Sequence, residues 1–146
     1  MKRLEMGKIF PAAYKLLTEL DIEIKKTGLN PLWLEMLKIR ASQLNGCAYC
    51  LNKHTKDAIK LGEKSERLYV LSAWREAGNW FSNEEQIILS MTEEITLIGQ
   101  HGISDTVYDN ATSVFGEETL AKLIMAIISI NAWNRIGVGL NMHPVG

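Results

Sequence analysis

Both cysteines of the chain lie in one stretch, LEMLKIRASQLNGCAYCLNKHTKDA, which runs from Leu34 to Ala58. Cys47 and Cys50 are spaced C-x-x-C, His54 follows, and Glu35 precedes, giving the pattern E-x11-C-x2-C-x3-H. Two thiols one helical turn apart can close a disulfide, and a histidine four residues beyond the second can take its proton. A thiol attacks only as thiolate, and a free cysteine has a pKa of about 8.5. Three features of the stretch lower that value. Asn45-Gly46 reads as a turn, so the cysteines fall in the first turn of the next helix, where unpaired N–H groups favour an anion. Cys50 and His54 are i and i+4 on one helix face, and helix side chains lean toward the N-terminus, which aims His54 at Cys50. Glu35 belongs to the preceding helix. If that helix packs antiparallel across the turn, its carboxylate reaches His54, fixes the tautomer and stabilises the imidazolium.

Cys47 is nearer the helix end and is expected to be the more exposed thiol, whereas Cys50 is nearer the base. The position of His54 favours Cys50 as the attacking thiol and Cys47 as the resolving one. The chemistry is then attack on a peroxide, a sulfenic acid on Cys50, condensation with Cys47 to a disulfide, and reduction by an external thiol or dithiol. The same residue types also suit zinc: Cys47, Cys50 and His54 supply three ligands, and Glu35, His101 or His143 a fourth. A third reading has two buried cysteines beside a surface histidine.

The elements that carry these residues read as helices throughout. The chain has 146 residues, suiting one domain over 1–146, and at 47% hydrophobic it can bury a core. No run alternates apolar and polar residues with β-branched enrichment. Residues 1–10 read as an arm or a short irregular segment. Pro11 opens a helix to about Lys26, with Tyr14, Leu17, Leu20 and Ile24 on one stripe. Asn30 caps the next, with Pro31 at its first position, ending near Asn45-Gly46. A third runs from about Cys47 to Gly62, and a fourth from near Ser65 through Trp74 until Ala77-Gly78-Asn79 breaks it. Ser82 and Glu85 form a capping box for a helix from Asn83 to about Gly99. Residues 100–102 read as a loop, and Ser104 caps a short helix ending at Gly116. The last helix, from near Glu117, is apolar on almost every face before Asn131, which places it in the core or in a subunit contact. The expectation is an all-α domain of about seven helices that forms a homo-oligomer, whether dimer, trimer or hexamer.

Composition removes several functions. With a formal net charge of −1 there is no basic field for nucleic acid or an anionic membrane. The opening MKRLEMGKIFPAAYK has no apolar signal region, and the longest apolar run, Leu123 to Ile130, interrupted only by Ser129, is too short to span a bilayer. The expected location is cytoplasmic, where a lone C-x-x-C is catalytic or metal-binding rather than a structural staple. No Gly-rich phosphate loop or Ser/His/Asp pattern is present, and no cofactor is expected. Tyr49 reads as a ring in a helix contact, with a hydrogen bond to a peroxide oxygen as the alternative. Arg40 and Arg75 read as ion-pairing or solvated charges, with Glu35 and Glu76 as candidate partners and the holding of an anionic substrate as the alternative. Trp33, Trp74, Trp80 and Trp133 read as core or interface rings. Asn131, Asn134 and Arg135 interrupt an apolar helix and need partners near the thiols or across a subunit contact.

At Glu35, the following KIRASQLNG, Cys47, Cys50, His54 and the trailing TKDA, the sequence resembles the alkylhydroperoxidase D-like group of the carboxymuconolactone decarboxylase superfamily. LSAWREA (Leu71 to Ala77) and INAWNR (Ile130 to Arg135) resemble other segments of its small stand-alone members, so the likeness covers about Pro11 to Gly137. The resemblance implies a self-assembling all-helical fold and a peroxiredoxin-type activity. It implies Cys50 as the peroxide-reactive cysteine, Cys47 as its partner, and Glu35 and His54 as a proton relay. Alkylhydroperoxidase D proper has a histidine just before the second cysteine; this chain has Tyr49 there. The decarboxylase branch typically lacks the C-x-x-C pair. A cofactorless lyase using His54 and Glu35 as acid and base is the alternative the superfamily offers.

Overall fold

The computed structural model describes residues 1–146, and it is all-α with no strand. Eight helices follow in order: α1 (Met6–Ile9), α2 (Pro11–Lys25), α3 (Pro31–Asn45), α4 (Ala48–Lys60), α5 (Ser65–Val70), α6 (Asn83–Thr96), α7 (Ile98–His101) and α8 (Asp105–Gly139). No helix is long and apolar enough to cross a membrane.

The boundaries follow local chemistry. Asn30 Oδ1 accepts from the Leu32 N–H ahead of Pro31, so α3 begins with a satisfied cap. At α6 the Ser82 hydroxyl accepts from Glu85 N–H at 3.2 Å and the Glu85 carboxylate accepts from Ser82 N–H at 2.9 Å, a complete capping box. Gly116 sits at φ 73° and ψ 167° inside α8, so the long rod is two helical segments joined at a residue that has no Cβ to clash there.

Three expectations are corrected. The N-terminal arm holds a helical turn, α1. The expected loop at 100–102 is partly helical, because α7 runs to His101 and only then turns at Gly102. The helix expected to run through Trp74 changes to a tighter 3-10 winding over Leu71–Glu76. The backbone kinks at Ala73 (φ −123°, ψ 34°), and Leu71 and Trp74 on either side of it are both buried.

The core lies around α3, which packs against α4, α6 and α8. Leu37, Ile39, Ile88, Leu89, Ile127 and Ile130 are among its fully buried members. Each contributes about 1.5–3 kcal/mol by leaving water. Glu93 of α6 ties the layers at one edge. It accepts from Arg40 of α3, from the Trp74 indole at 3.2 Å and from Arg75. Arg40 and Arg75 therefore pair with Glu93, neither with Glu35 nor with Glu76. Trp33 stacks edge-on against Phe115 with ring centroids 5.8 Å apart, whereas Trp80 is 49% exposed and is no core ring.

Candidate active site

The sulfurs are placed by the way α3 stops. Gly46 takes the left-handed conformation (φ 65°, ψ 35°), its N–H donates to Gln43 O, and the Cys47 N–H donates to Ser42 O at 3.0 Å. This Schellman closure turns the chain so that α4 starts at once, antiparallel to α3. Cys47 is the N-cap of α4, and its Sγ accepts from the Cys50 N–H at 3.3 Å. Cys47 and Cys50 are joined as a disulfide with Cα atoms 5.3 Å apart, inside the ordinary range for such a bridge.

The expectation of a more exposed Cys47 is reversed. Both sulfurs are buried, Cys47 at 1% and Cys50 at 4% exposure. The cause is α8, whose Gly137 crosses the start of α4 so closely that an added Cβ would stand 2.8 Å from Cys47 Sγ. Of the two cysteines, only Cys50 lines the neighbouring cavity.

Packing α3 antiparallel to α4 brings Glu35 to His54. Glu35 Oε2 and His54 Nδ1 are 2.8 Å apart, and both residues are buried. Using Nδ1 on the carboxylate leaves Nε2 for a second partner, and His54 lines the same cavity as Cys50. Lys38, one turn along α3, is 8% exposed, with Nζ 3.6 Å from Glu35 Oε1. Beyond His54, Lys53 Nζ donates to Asp57 at 3.0 Å. Burial pushes the Asp57 carboxyl up, but that bond and the charges of Lys53, His54 and Lys60 outweigh it and hold the carboxyl below its ordinary value. The same bond raises Lys53.

The metal reading gathers a different ligand set from the one expected. Glu35, His54 and Asp57 have donor atoms all within 4.8 Å of one another. The cysteines are not in the set, their sulfurs being joined in the disulfide, and His101 and His143 are exposed elsewhere. Lys38 and Lys53 already face the two carboxylates, and His54 Nδ1 is spent on Glu35.

The cavity is about 240 Å³ and is closed by residues from four helices and the tail. Beside Cys50 and His54 its wall includes Tyr14, Asp21, Lys38, Tyr49, Trp133 and Met142. Tyr49 is thus a cavity ring rather than only a helix contact. Trp133 stacks edge-on against Tyr14 with centroids 5.1 Å apart and donates from its indole to Asp21 at 2.7 Å. Asp21 also accepts from the Ser129 hydroxyl, which clamps α2 to α8 along one side of the cavity. Asp21, Lys38 and Gly137 went unnoticed as site residues in the sequence. A signal existed for Asp21, an acid on the apolar face of α2 seven residues beyond Tyr14.

Behind the turn, the polar residues of α8 find their partners. Asn45 Nδ2 donates to Asn131 Oδ1 and to Asn134 Oδ1, each at 2.9 Å. Asn134 donates to Ser42 Oγ at 3.0 Å, and Asn131 donates to Thr96 Oγ1 and Ile127 O. Arg135 donates to the Asn131 carbonyl and side chain. No buried side-chain polar atom is left without a partner.

Comparison with known proteins gives a consistent set. The model of the carboxymuconolactone decarboxylase family matches residues 11–93, a span that contains the whole cysteine stretch. The chain is 37% identical over 139 residues to an uncharacterized protein, YdfG, of Bacillus subtilis (strain 168), covering 95% of this chain and 94% of that one. A solved protein of unknown function from Agrobacterium tumefaciens, provisionally described as the antioxidant defence protein AhpD, superposes with a TM-score of 0.93 at 31% identity, with 100% of both chains covered. A peroxidase-related protein from Silicibacter sp. TM1040 shares the fold at a TM-score of 0.79 and 19% identity, covering 90% of this chain and 70% of that one.

Proposed function

The chain belongs to the carboxymuconolactone decarboxylase family as an alkylhydroperoxidase D-like member, and from that premise we propose that it is a thiol-dependent peroxidase working through Cys50 and Cys47. The observation that carries the reading is the buried Glu35–His54 pair at 2.8 Å opening onto the cavity that Cys50, and not Cys47, also lines.

In the reduced enzyme His54 takes the Cys50 proton and Glu35 holds the resulting imidazolium. Cys50 Sγ attacks the terminal oxygen of a hydroperoxide. An S–O bond forms as the O–O bond breaks, and the departing alkoxide leaves as alcohol with the proton from His54. The Cys47 sulfur then attacks the sulfenic sulfur of Cys50. An S–S bond forms, the S–O bond breaks, and the hydroxide leaves as water with the Cys47 proton. Two electrons pass from the thiols to the peroxide, and an external thiol or dithiol returns them. The disulfide joining Cys47 to Cys50 corresponds to the end of this cycle. We place the reaction in the cytoplasm, where that reductant pool exists, and assign the working form to a homo-oligomer.

Intact-mass measurement before and after one equivalent of hydroperoxide tests the scheme. Reduced wild type is expected to lose about two mass units as two thiols become a disulfide. Cys47→Ser should stop at a trappable sulfenic acid, and Cys50→Ser should not react. Unchanged thiol counts in the wild type after stoichiometric peroxide would sink the proposal.

A further inference from the structure

The cavity wall holds one cation with nothing to donate to. Asp21 accepts from Trp133 and Ser129, so its carboxylate is satisfied from within the protein. Lys53 donates to Asp57. Lys38 differs: its Nζ lies 3.6 Å from Glu35 Oε1, beyond hydrogen-bond reach, and it meets no other acceptor. An ammonium carries three donors; no fully sealed side-chain nitrogen of the chain lacks a partner, so this one stays open to the cavity it lines, where a ligand can supply the acceptor.

The remaining wall tells what such a ligand looks like. Ile130, Trp133, Ile136 and Met142 present hydrocarbon. At about 240 Å³ the space far exceeds what hydrogen peroxide fills, given roughly 30 Å³ for a water in the liquid. We propose that the cavity takes an organic acid, and that the substrate is an organic hydroperoxide bearing a carboxylate, held by Lys38 Nζ with its hydrocarbon body against those side chains. The substrate half of this statement rests on the peroxidase reading; the acid-binding half does not.

Two measurements separate them. In the disulfide form, calorimetric titration compares hexanoate with hexan-1-ol, which share a chain and differ in charge. Wild type is expected to bind hexanoate about tenfold more tightly, as a charge-assisted hydrogen bond provides. The preference should vanish in Lys38→Met and persist in Lys38→Arg. Equal binding of the two probes by wild type, which needs no variant to fold, overturns the proposal, as does a preference that survives Lys38→Met. In the reduced form, turnover compares cumene hydroperoxide with its para-carboxylate. Lys38→Met should lower the acid-to-neutral ratio of kcat/KM by about tenfold. An equal loss on both substrates would assign Lys38 to the reacting oxygens and overturn the substrate class. Lys38-dependent hexanoate binding in a protein that turns over neither hydroperoxide supports the acid site and ends the peroxidase reading.

Discussion

A methyl group at position 137 would stand 2.8 Å from Cys47 Sγ and 3.5 Å from Cys50 Sγ, so the last helix approaches the disulfide as closely as a bare backbone allows. Two effects oppose each other in Gly137→Ala. Alanine gains up to about 1 kcal/mol of helix propensity, and overpacking a buried site costs about 1–3 kcal/mol. Overpacking wins, and the oxidised protein is expected to lose up to about 2 kcal/mol, read as a lower urea midpoint. Reduction frees the Cys47 side chain to turn aside, so the loss should be smaller in the reduced protein; equal midpoints for variant and wild type in the oxidised state would refute the packing argument. Residues such as Gly137 explain what the sequence did and did not disclose at this scale. Glu35, Cys47, Cys50 and His54 could be gathered by eye because one turn at Gly46 brings them together, and helix spacing does the rest. Asp21, Trp133 and Gly137 reach the cavity from helices whose mutual rotation depends on packing, which spacing within one helix does not encode.

At the scale of elements, two polar clusters hold the turn and the edge of the bundle. Asn45 spends both protons of its amide on the side-chain oxygens of Asn131 and Asn134, fastening the end of α3 to α8 directly before Gly46 and Cys47. Asn45→Ala leaves Asn134 Oδ1 without its donor and Asn131 Oδ1 with Arg135 alone, and a loss of about 1–3 kcal/mol is expected in denaturant titration. Glu93 is a pH-dependent counterpart. Burial pushes its carboxyl up, but hydrogen bonds from Arg40, Arg75 and Trp74 outweigh that and hold it below the ordinary 4.5. A folded-state pKa below the unfolded one stabilises the protein above the unfolded value, and the stabilisation is lost as pH falls through the folded value. Wild type should therefore exceed Glu93→Gln by about 1–3 kcal/mol at neutral pH, with the gap narrowing below pH 4.5; a gap independent of pH would contradict the assignment. Caps made most elements readable: Asn30-Pro31, Ser82 with Glu85, Ser104 and Gly116 mark their boundaries by local chemistry. The turns at α1 and α7 and the 3-10 winding before Trp74 escaped because each is short. The 3-10 stretch follows from the need to bury Leu71 and Trp74 together, a tertiary demand rather than a local one.

For the whole molecule, the unresolved balance lies in α8. Its Leu123, Ala126, Ile127 and Ile130 fill the core of the chain, yet Met125 and Ile128 on the same helix are 40% and 45% exposed. Leu16 at 67% and Phe10 at 58% exposure add apolar surface along α2 and its start. With a net charge of −1 there is little self-repulsion to keep copies apart. The uniformly apolar pattern of the last helix is thus explained in part by the chain's own core, and the homo-oligomer proposed above would account for the rest. Light scattering on a size-exclusion column is expected to give a multiple of the 16.4 kDa chain mass. Replacing Met125 and Ile128 together by glutamate sets carboxylates where a dry contact would form, and desolvating a carboxylate costs more than the roughly 1.5–3 kcal/mol that burying either original side chain returns. The double variant should elute as a monomer with unchanged helical circular dichroism, because neither side chain belongs to the chain's own core. A wild type that is monomeric at all concentrations would mean that this face is simply solvated, and that the apolar run of α8 is explained by the core alone.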